Sequence, residues 1–272
     1  MNKRNRIIIL VDFSEYSENL IEFGFSLSKK LNGKLVFVHQ VAGVVPALAD
    51  EGSRNEILKA EISDAHIHLR DLLKERIQDE NAIHISPKPI LSILKELSNE
   101  LYFDWVLTGL KTTGVLKRLF IGSTPLSIID ESNHLTLAVP IKTPVAIPQK
   151  LLVGVTPKFP MNREQFQVVL TSLTGHIKQI EFFTVLKDDE DEDKAKVYLQ
   201  KLQKEFDTLK SEFSIYKGDN ALDLLKKQVH LTMDSFLVLQ QGSRTLNDKL
   251  FRKFMINEVV YGAQTPLIVL SS

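Results

Sequence analysis

The most constraining feature of this sequence is an order of short apolar runs and helical segments that occurs twice along the chain. Residues 151–155 repeat residues 7–11 in position and character. The further corresponding segments are residues 34–40 with 179–185, 90–95 with 221–226, 104–109 with 234–239, and 135–139 with 265–270. So many matching segments in one order indicate an internal duplication. The sequence therefore predicts two similar domains, which we expect to pack as a pseudo-dimer within one chain.

The chain length and a proline-rich stretch place the boundary between the two copies. At 272 residues the chain exceeds the size of most single hydrophobic cores. Residues 140–149 contain three prolines and show neither helical nor strand periodicity. We therefore predict an N-terminal domain of residues 1–142, a linker of residues 143–149 and a C-terminal domain of residues 150–272.

The predicted strands are continuous apolar runs separated by segments long enough for helices. In the first copy they are residues 7–11, 34–39, 105–108 and 135–139. Strands of a parallel sheet are covered by crossover helices on both faces, which is why they consist of unbroken Val, Ile and Leu runs. The pattern predicts an α/β fold of two tandem Rossmann-like domains, each a five-stranded parallel sheet with helices on both faces.

Helices between these strands are predicted from capping residues and apolar spacing. The first begins after Ser14 and ends just before Gly33, because a serine favours a helix start and a glycine commonly follows a helix end. The second spans about residues 54–79, and the third follows Pro89.

Composition narrows the classes of partner. The 34 basic and 34 acidic residues cancel, so no net positive field attracts nucleic acid or an anionic membrane surface. No apolar stretch approaches the roughly 20 residues that a membrane-spanning helix needs. The chain has no cysteine, which suits a reducing compartment. We expect a cytoplasmic protein that binds neither nucleic acid nor membrane.

Two loops at predicted strand ends carry the candidate binding residues. In an open parallel sheet, ligands bind beyond the C-terminal ends of the strands. The first strand ends at Asp12, and the fourth leads into a glycine-bearing segment that starts at Gly109. Gly122 and Ser123 open the last helix of the copy, whose free amide groups favour a phosphate. Asp12 is also explained as a helix N-cap, and both interpretations stay open.

These residues make the chain similar to the universal stress protein family. The resemblance rests on Val-Asp-Phe-Ser-Glu at residues 11–15, on the strand Leu-Val-Phe-Val-His at residues 35–39, and on the glycine-bearing stretch that ends in Gly122-Ser123. It covers residues 6–140 well and residues 150–272 more loosely. It implies tandem domains of the adenine-nucleotide α-hydrolase-like kind, with ATP held between the glycine loop and the aspartate after the first strand.

By position, the resemblance assigns roles to residues of the first copy. Asp12 would face the adenine or ribose, and the backbone near Val38 would line the adenine pocket. Gly109 would begin the phosphate loop, and amides and a hydroxyl at the far end of that loop would hold the phosphates. The full set is Asp12, Val38, Gly109, Thr112, Gly122, Ser123 and Thr124. Thr112 stands where the family has its second glycine, and its β-branched side chain restricts the approach of a triphosphate.

The second copy departs further from this pattern. Thr156 stands in place of the aspartate, Gly242 is the one glycine in residues 239–244, and Lys253-Phe254 replaces the Gly-Ser pair. A large aromatic side chain there would fill the phosphate space. We predict that the second copy binds no nucleotide in this way.

The resemblance implies a stress-response protein that binds ATP, as Mg-ATP, or another adenine nucleotide in its first copy. The sequence contains no Walker loop, nucleophile elbow, Ser/His/Asp order or carboxylate pair suited to acid/base work. We therefore predict no catalytic residue and at most a slow, incidental ATPase. Because the histidines show no ligand spacing, we also predict no metal. An interaction or scaffold protein without nucleotide stays open, as does a homodimer; a nucleotide-using transferase has the least support.

Overall fold

The computed structural model describes residues 3–43, 50–77, 79–110, 123–141, 143–231, 234–243, 259–260 and 264–272. The chain forms two compact units, residues 1–108 (unit 1) and residues 109–272 (unit 2). The proline-bearing residues 140–149 lie inside unit 2. The assignment of domains to residues 1–142 and 150–272, drawn from the repeat, stays a prediction.

Unit 1 is a parallel sheet with connecting helices. In chain order its elements are β1 (Arg4–Leu10), α1 (Ser17–Leu31), β2 (Lys34–Gln40), α2 (Glu51–Leu73), β3 (Ile83–Ser86), α3 (Ile90–Leu97) and β4 (Tyr102–Leu110). The strand order is β3-β2-β1-β4, and each of these neighbouring pairs is parallel. Strand β4 continues for two residues beyond the end of this unit.

Unit 2 is a mixed sheet that is parallel except at one pairing. Its elements are α4 (Ser123–Glu131), β5 (Leu135–Pro140), β6 (Lys150–Gly154), α5 (Arg163–Ser172), β7 (Gln179–Leu186), α6 (Glu192–Glu205), β8 (Lys210–Lys217), α7 (Ala221–Leu231), β9 (Ser235–Gln240) and β10 (Leu267–Leu270). The strand order is β5-β10-β9-β6-β7-β8. Strand β5 runs antiparallel to β10, and the other neighbouring pairs are parallel.

Burial along the central strands explains why each sheet is covered on both faces. Ile7, Ile8 and Ile9 of β1 are all 0% exposed. Successive side chains of a strand point to opposite faces, so three consecutive buried residues require cover on both sides of the sheet. In unit 2, the consecutive residues Leu237, Val238 and Leu239 of β9 show the same burial. The predicted α/β fold is thus confirmed, with the antiparallel pairing of β5 as a feature that the sequence did not indicate.

Two strands escaped the sequence analysis for a common reason. Strand β3 is only four residues long, and β8 contains polar residues among its apolar ones in Lys-Ser-Glu-Phe-Ser-Ile-Tyr-Lys. Both lie at the edge of their sheets and are only partly buried. An edge strand has no need of the unbroken apolar run by which the other strands were recognised.

The ends of the first two helices agree with the predictions in part. Helix α1 begins at Ser17, later than predicted, and ends at Leu31 with Asn32, φ 48°, as its C-cap, so Gly33 lies just beyond the helix as predicted. Gly33 also allows close packing, because a Cβ atom there would lie 2.3 Å from Cδ1 of Ile7. Helix α2 spans Glu51–Leu73 and stops before the predicted residue 79, since Lys74 adopts φ 54°.

Candidate functional site

The C-terminal ends of β1 and β2 lie side by side in unit 1. Leu10 pairs with Val38, and the backbone N–H of Val11 donates to the carbonyl of Val38 at 2.9 Å. The structure therefore brings Asp12, which directly follows Val11, to the same strand ends as Val38. The side chain of Val38 is 0% exposed, and its carbonyl oxygen is already engaged in the sheet.

The carboxylate of Asp12 holds the turn that leads into α1. Its Oδ1 accepts hydrogen bonds from the backbone N–H of Ser14 at 3.0 Å and from the hydroxyl of Ser17 at 3.2 Å. An aspartate that accepts from the backbone two residues later forms an Asx turn, a common way to start a helix. Asp12 thus holds the turn before α1 but is not the N-cap of that helix, which is Tyr16, and Asp12 itself is exposed.

Phe13 is the residue of this turn that sequence reasoning missed. It adopts φ 56°, a left-handed conformation that a bulky side chain rarely takes. Its ring lies 4.0 Å from the ring of His39, centroid to centroid, and stacks at 4.3 Å on the ring of His68. The turn thus directs an aromatic side chain onto two imidazoles from β2 and α2.

A cavity of about 310 Å³ opens beside these rings within unit 1. Its lining residues are Phe13, His39, Val41, Ala42, Glu61, Asp64, Ala65 and His68. The four contributed by α2 recur at helical spacing and so share one face of that helix. That spacing was the available signal in the sequence, but the face is mostly polar and does not stand out by hydrophobicity.

The structure defines which ring nitrogen of His39, a residue that lines the cavity, carries the proton. Its Nδ1 lies 2.8 Å from the carbonyl oxygen of Val11. Because a carbonyl oxygen can only accept, Nδ1 carries the proton and Nε2 of the neutral ring keeps a lone pair. Burial lowers the pKa of His39 below its usual value, while the bond to Val11 and the charge of Asp12 act in the opposite direction.

The remaining residues of the predicted set belong to unit 2. Gly109 is a half-buried residue of β4, and Ser123 is the first residue of α4, as its sequence position predicted. Thr124 is exposed, and its carbonyl accepts a hydrogen bond from the hydroxyl of Ser127 at 2.9 Å. Thr112 and Gly122 lie outside the described residues. The role of this set in phosphate binding stays a prediction.

Strand pairing in unit 2 corrects the alignment of the two copies by one residue. Arg6 pairs with Asp104 in unit 1, whereas Lys150, its counterpart in the repeat, pairs with Ser235 and not with Asp234. Counting along both strands from these pairs places Gln240 at the position of Gly109. A glutamine therefore stands where the first copy has Gly109, the first glycine of the predicted phosphate loop.

The side chain of Gln240 forms hydrogen bonds between the strand ends of unit 2 and the segment before α5. Its Oε1 accepts from the backbone N–H of Asn162 at 2.7 Å, and its Nε2 donates to the carbonyls of Leu270 at 3.3 Å and Ser271 at 3.0 Å. A cavity of about 470 Å³ remains, lined by Lys158, Phe159, Pro160, Met161, Asn162, Gln240, Gln241, Gly242 and Ser272. Lys253 and Phe254, which replace the Gly-Ser pair, lie outside the described residues.

Among the residues whose positions are described, no group of three or more His, Asp or Glu side chains is placed to hold a metal ion. The helices in the described ranges include none with the length and apolar character required to cross a bilayer.

Comparison with known proteins identifies the family. The sequence profile of the Universal stress protein family matches residues 3–140. The chain belongs to this family. The matched region includes β1 to β5, the cavity of unit 1 and every residue of the predicted nucleotide site. No curated protein matches the chain.

Solved structures extend the similarity with the Universal stress protein fold over the whole length. A universal stress protein from Archaeoglobus fulgidus DSM 4304 aligns over 99% of both chains at 14% identity and a TM-score of 0.65. A functionally unknown protein from Pseudomonas aeruginosa PAO1 covers 98% of this chain and 92% of its own, at 10% identity and a TM-score of 0.57. The cytoplasmic domain of a prokaryotic cation chloride cotransporter covers 98% and 95%, at 11% identity and 0.51. At these identities the likeness concerns the fold alone.

Proposed function

We propose that this universal stress protein binds an adenine nucleotide in its N-terminal half and has no dedicated catalytic activity. The observation that carries the proposal is the cavity of unit 1, which opens at the C-terminal ends of two parallel strands directly after Asp12. Ligands of open parallel sheets bind at such strand ends. Family membership supports the same conclusion, together with a role in the stress response and a cytoplasmic location.

The chemistry of the cavity suits the base of a nucleotide better than its phosphates. The volume of about 310 Å³ lies at the lower end of the range for small-molecule sites. Phe13 contributes an aromatic ring, which already contacts the rings of His39 and His68, and the described lining includes two carboxylates and neither lysine nor arginine. Binding of the phosphates, as Mg-ATP, by the segment from Gly109 to Thr124 is a proposal from the sequence. Any hydrolysis of ATP would be slow and incidental.

A second candidate function is an interaction protein that binds no nucleotide. The observation that favours it is the contact of Phe13 with the rings of His39 and His68, which occupies part of the space at the strand ends. An aromatic plug of this kind would fit a protein whose site has lost its ligand. The two candidates differ in whether ATP stabilises the fold.

The decisive experiment is thermal unfolding with and without Mg-ATP. A ligand selective for the native state, present at about 100 times its Kd, raises the free energy of unfolding by about 2.7 kcal/mol. Ala65→Leu places a larger side chain on the cavity wall and should weaken ATP binding about tenfold, because that wall is already packed. Ala60→Leu is the matched control, since Ala60 is an exposed residue of the same helix.

Three results are informative. A shift in the unchanged protein and in Ala60→Leu that falls in Ala65→Leu supports nucleotide binding at the cavity. An equal shift in all three proteins would place the nucleotide elsewhere. No shift in any of them at millimolar ATP would favour the interaction protein over the nucleotide-binding protein.

A further inference from the structure

Unit 2 has a cavity of its own that the proposed nucleotide site does not use. It has a volume of about 470 Å³ and lies between the segment that joins β6 to α5 and the residues at the end of β9. This volume falls within the range of small-molecule sites. The side chains that line it differ from those of the unit 1 cavity in charge and in polarity, and these two properties indicate the class of ligand.

Charge is the first difference between the two cavities. The cavity of unit 1 is lined by two carboxylates, Glu61 and Asp64, and by no described lysine or arginine. The cavity of unit 2 has Lys158 as the only charged side chain of its described lining. Among the residues that the structure describes, Lys158 makes no ion pair, and its ammonium lies 5.9 Å from the ring centroid of Phe159. A ligand anion at this wall would therefore meet a counter-charge.

A short turn holds Lys158 beside the cavity. The backbone N–H of Phe159 donates to the carbonyl and to the hydroxyl oxygen of Thr156, both at 3.2 Å, and the two residues form an antiparallel bridge. Lys158 lies within this turn, so its backbone is held on both sides. Thr156 occupies the position that Asp12 has in the first copy. The turn after the first strand thus carries a carboxylate in one copy and an ammonium in the other.

Apolar side chains form a continuous part of the remaining wall. Phe159, Pro160 and Met161 follow one another along the chain and all line the cavity, and Met161 is buried. Beside Gly242 the described residues leave open space, since a Cβ atom added there would have no heavy atom within 4 Å. Apolar ligand surface that packs against this wall is removed from water, which favours binding. The body of the ligand should therefore be apolar.

The amide side chains of the cavity already have hydrogen-bond partners within unit 2. Those of Gln240 are given above. Nε2 of Gln241 donates to the carbonyls of Ile129 at 3.2 Å and Ser132 at 3.1 Å, and its Oε1 accepts from the backbone N–H of Ser272 at 2.9 Å. Because buried polar groups are costly to separate from their partners, a ligand rich in hydrogen-bonding groups gains little here. The cavity favours a ligand with a single charged group.

We propose that the cavity of unit 2 binds a small organic anion, an apolar body that carries one carboxylate. Lys158 pairs with the carboxylate, and Phe159 and Met161 pack against the body. The proposal goes beyond the adenine nucleotide of unit 1 and does not depend on it. The two copies then bind ligands of different chemistry, in keeping with the opposite charges of their cavity linings.

Three probes with the same apolar chain and different charge test this proposal by isothermal titration: octanoate, octan-1-ol and octylammonium. Octanoate should bind about fivefold more tightly than octan-1-ol, the contribution of one partly exposed ion pair. Octylammonium should bind most weakly, because its charge has the same sign as that of Lys158.

Variants assign the charge and the apolar contact to separate residues. Lys158→Gln should reduce the ratio of octanoate to octan-1-ol affinity to about one, since the glutamine has no charge. Phe159→Ala should weaken octanoate and octan-1-ol by the same factor, about threefold to tenfold, because it removes apolar contact with the chain that both probes share. Lys201→Gln is the matched control and should leave the ratio intact, since Lys201 is an exposed lysine of α6 outside the cavity.

The outcomes distinguish this proposal from the nucleotide function. Equal affinity for the three probes, or a ratio unchanged in Lys158→Gln, overturns the pairing of Lys158 with an anion. Failure of all three probes to bind overturns the ligand site of unit 2. Displacement of octanoate by millimolar ATP would also overturn it, because the two ligands would then share one site. Binding of octanoate without binding of ATP would overturn the nucleotide function alone.

Discussion

His39, at the strand ends of unit 1, is a partly buried and hydrogen-bonded residue that can titrate near neutral pH. Its Nδ1 donates to the carbonyl of Val11, and burial lowers its pKa below the usual 6.5. The unfolded chain therefore takes up a proton at a higher pH than the folded chain does. Stability contributed by neutral His39 is fully present above about pH 6.5 and is lost as the pH falls through the lowered pKa.

Replacing His39 should remove this acid sensitivity. We expect His39→Asn to flatten the decline in the free energy of unfolding between about pH 7.5 and pH 5.5, because an amide keeps a donor for Val11 but does not titrate. Urea denaturation at several pH values measures the slope. His230→Asn, a change at an exposed histidine of α7, serves as the control. A slope in His39→Asn as steep as in the unchanged protein would contradict this account.

Single residues of the site differ in how far the sequence revealed them. Asp12 was evident because an acidic residue directly after an apolar run marks a strand end. Phe13, its neighbour, was not, because its left-handed conformation and its contacts with the imidazoles depend on residues far along the chain. Backbone conformations that are unfavourable for the residue type have no local sequence signal.

At the scale of elements, a buried ion pair joins β1 to β4. Arg6 Nε and Nη2 donate to the two carboxylate oxygens of Asp104 at 2.7 Å and 2.8 Å, and Nη2 also donates to the carbonyl of Leu97 at 2.7 Å. The two side chains are 7% and 4% exposed. The guanidinium thus connects two neighbouring strands with the end of α3, and each buried charge depends on its partner.

Breaking this pair should be costly. Asp104→Asn leaves the guanidinium of Arg6 buried without its counter-charge, and we expect a loss of about 3–5 kcal/mol in the free energy of unfolding. Glu96→Gln at the exposed ion pair of Lys88 and Glu96 is the control, with an expected loss of about 0–1 kcal/mol. Chemical denaturation followed by circular dichroism compares the two. Similar losses in both variants would show that burial does not govern the strength of the Arg6 pair.

Strands with unbroken apolar runs were predictable, and the partly buried edge strands β3 and β8 were not. Unbroken apolar runs located β1, β2 and β9, because strands buried on both faces admit few polar residues. The antiparallel pairing of β5 with β10 has no counterpart in local sequence, since strand direction depends on how distant segments associate.

At the scale of the whole molecule, the two copies have kept one fold and changed the chemistry at their strand ends. At the position of Gly109 in the first copy, the second copy has Gln240, a buried side chain that bonds to Asn162 and Ser271. The glutamine amide therefore has its hydrogen-bond partners within unit 2. One fold can carry different chemistry at corresponding positions.

From the proposed nucleotide site of unit 1, we expect a binding stoichiometry of one nucleotide per chain. Equilibrium dialysis with ATP should saturate at about one equivalent, because the amide of Gln240 already occupies the ends of β9 and β10. Gln240→Gly should lower stability by about 1–3 kcal/mol through the loss of partners for buried groups, without adding a second equivalent. Saturation at two equivalents by the unchanged protein would overturn this view of unit 2.

The sequence by itself determined the α/β architecture, the internal repeat and the strand ends at which a ligand would bind. These properties follow from the spacing of apolar residues and from the identity of residues directly after each run, which are local features. The tertiary structure decided the cavity of unit 1, the stacking of Phe13 and the place of Gln240 opposite Asn162. Each of these joins residues from separate elements, and only the packing of the elements sets the distance between them.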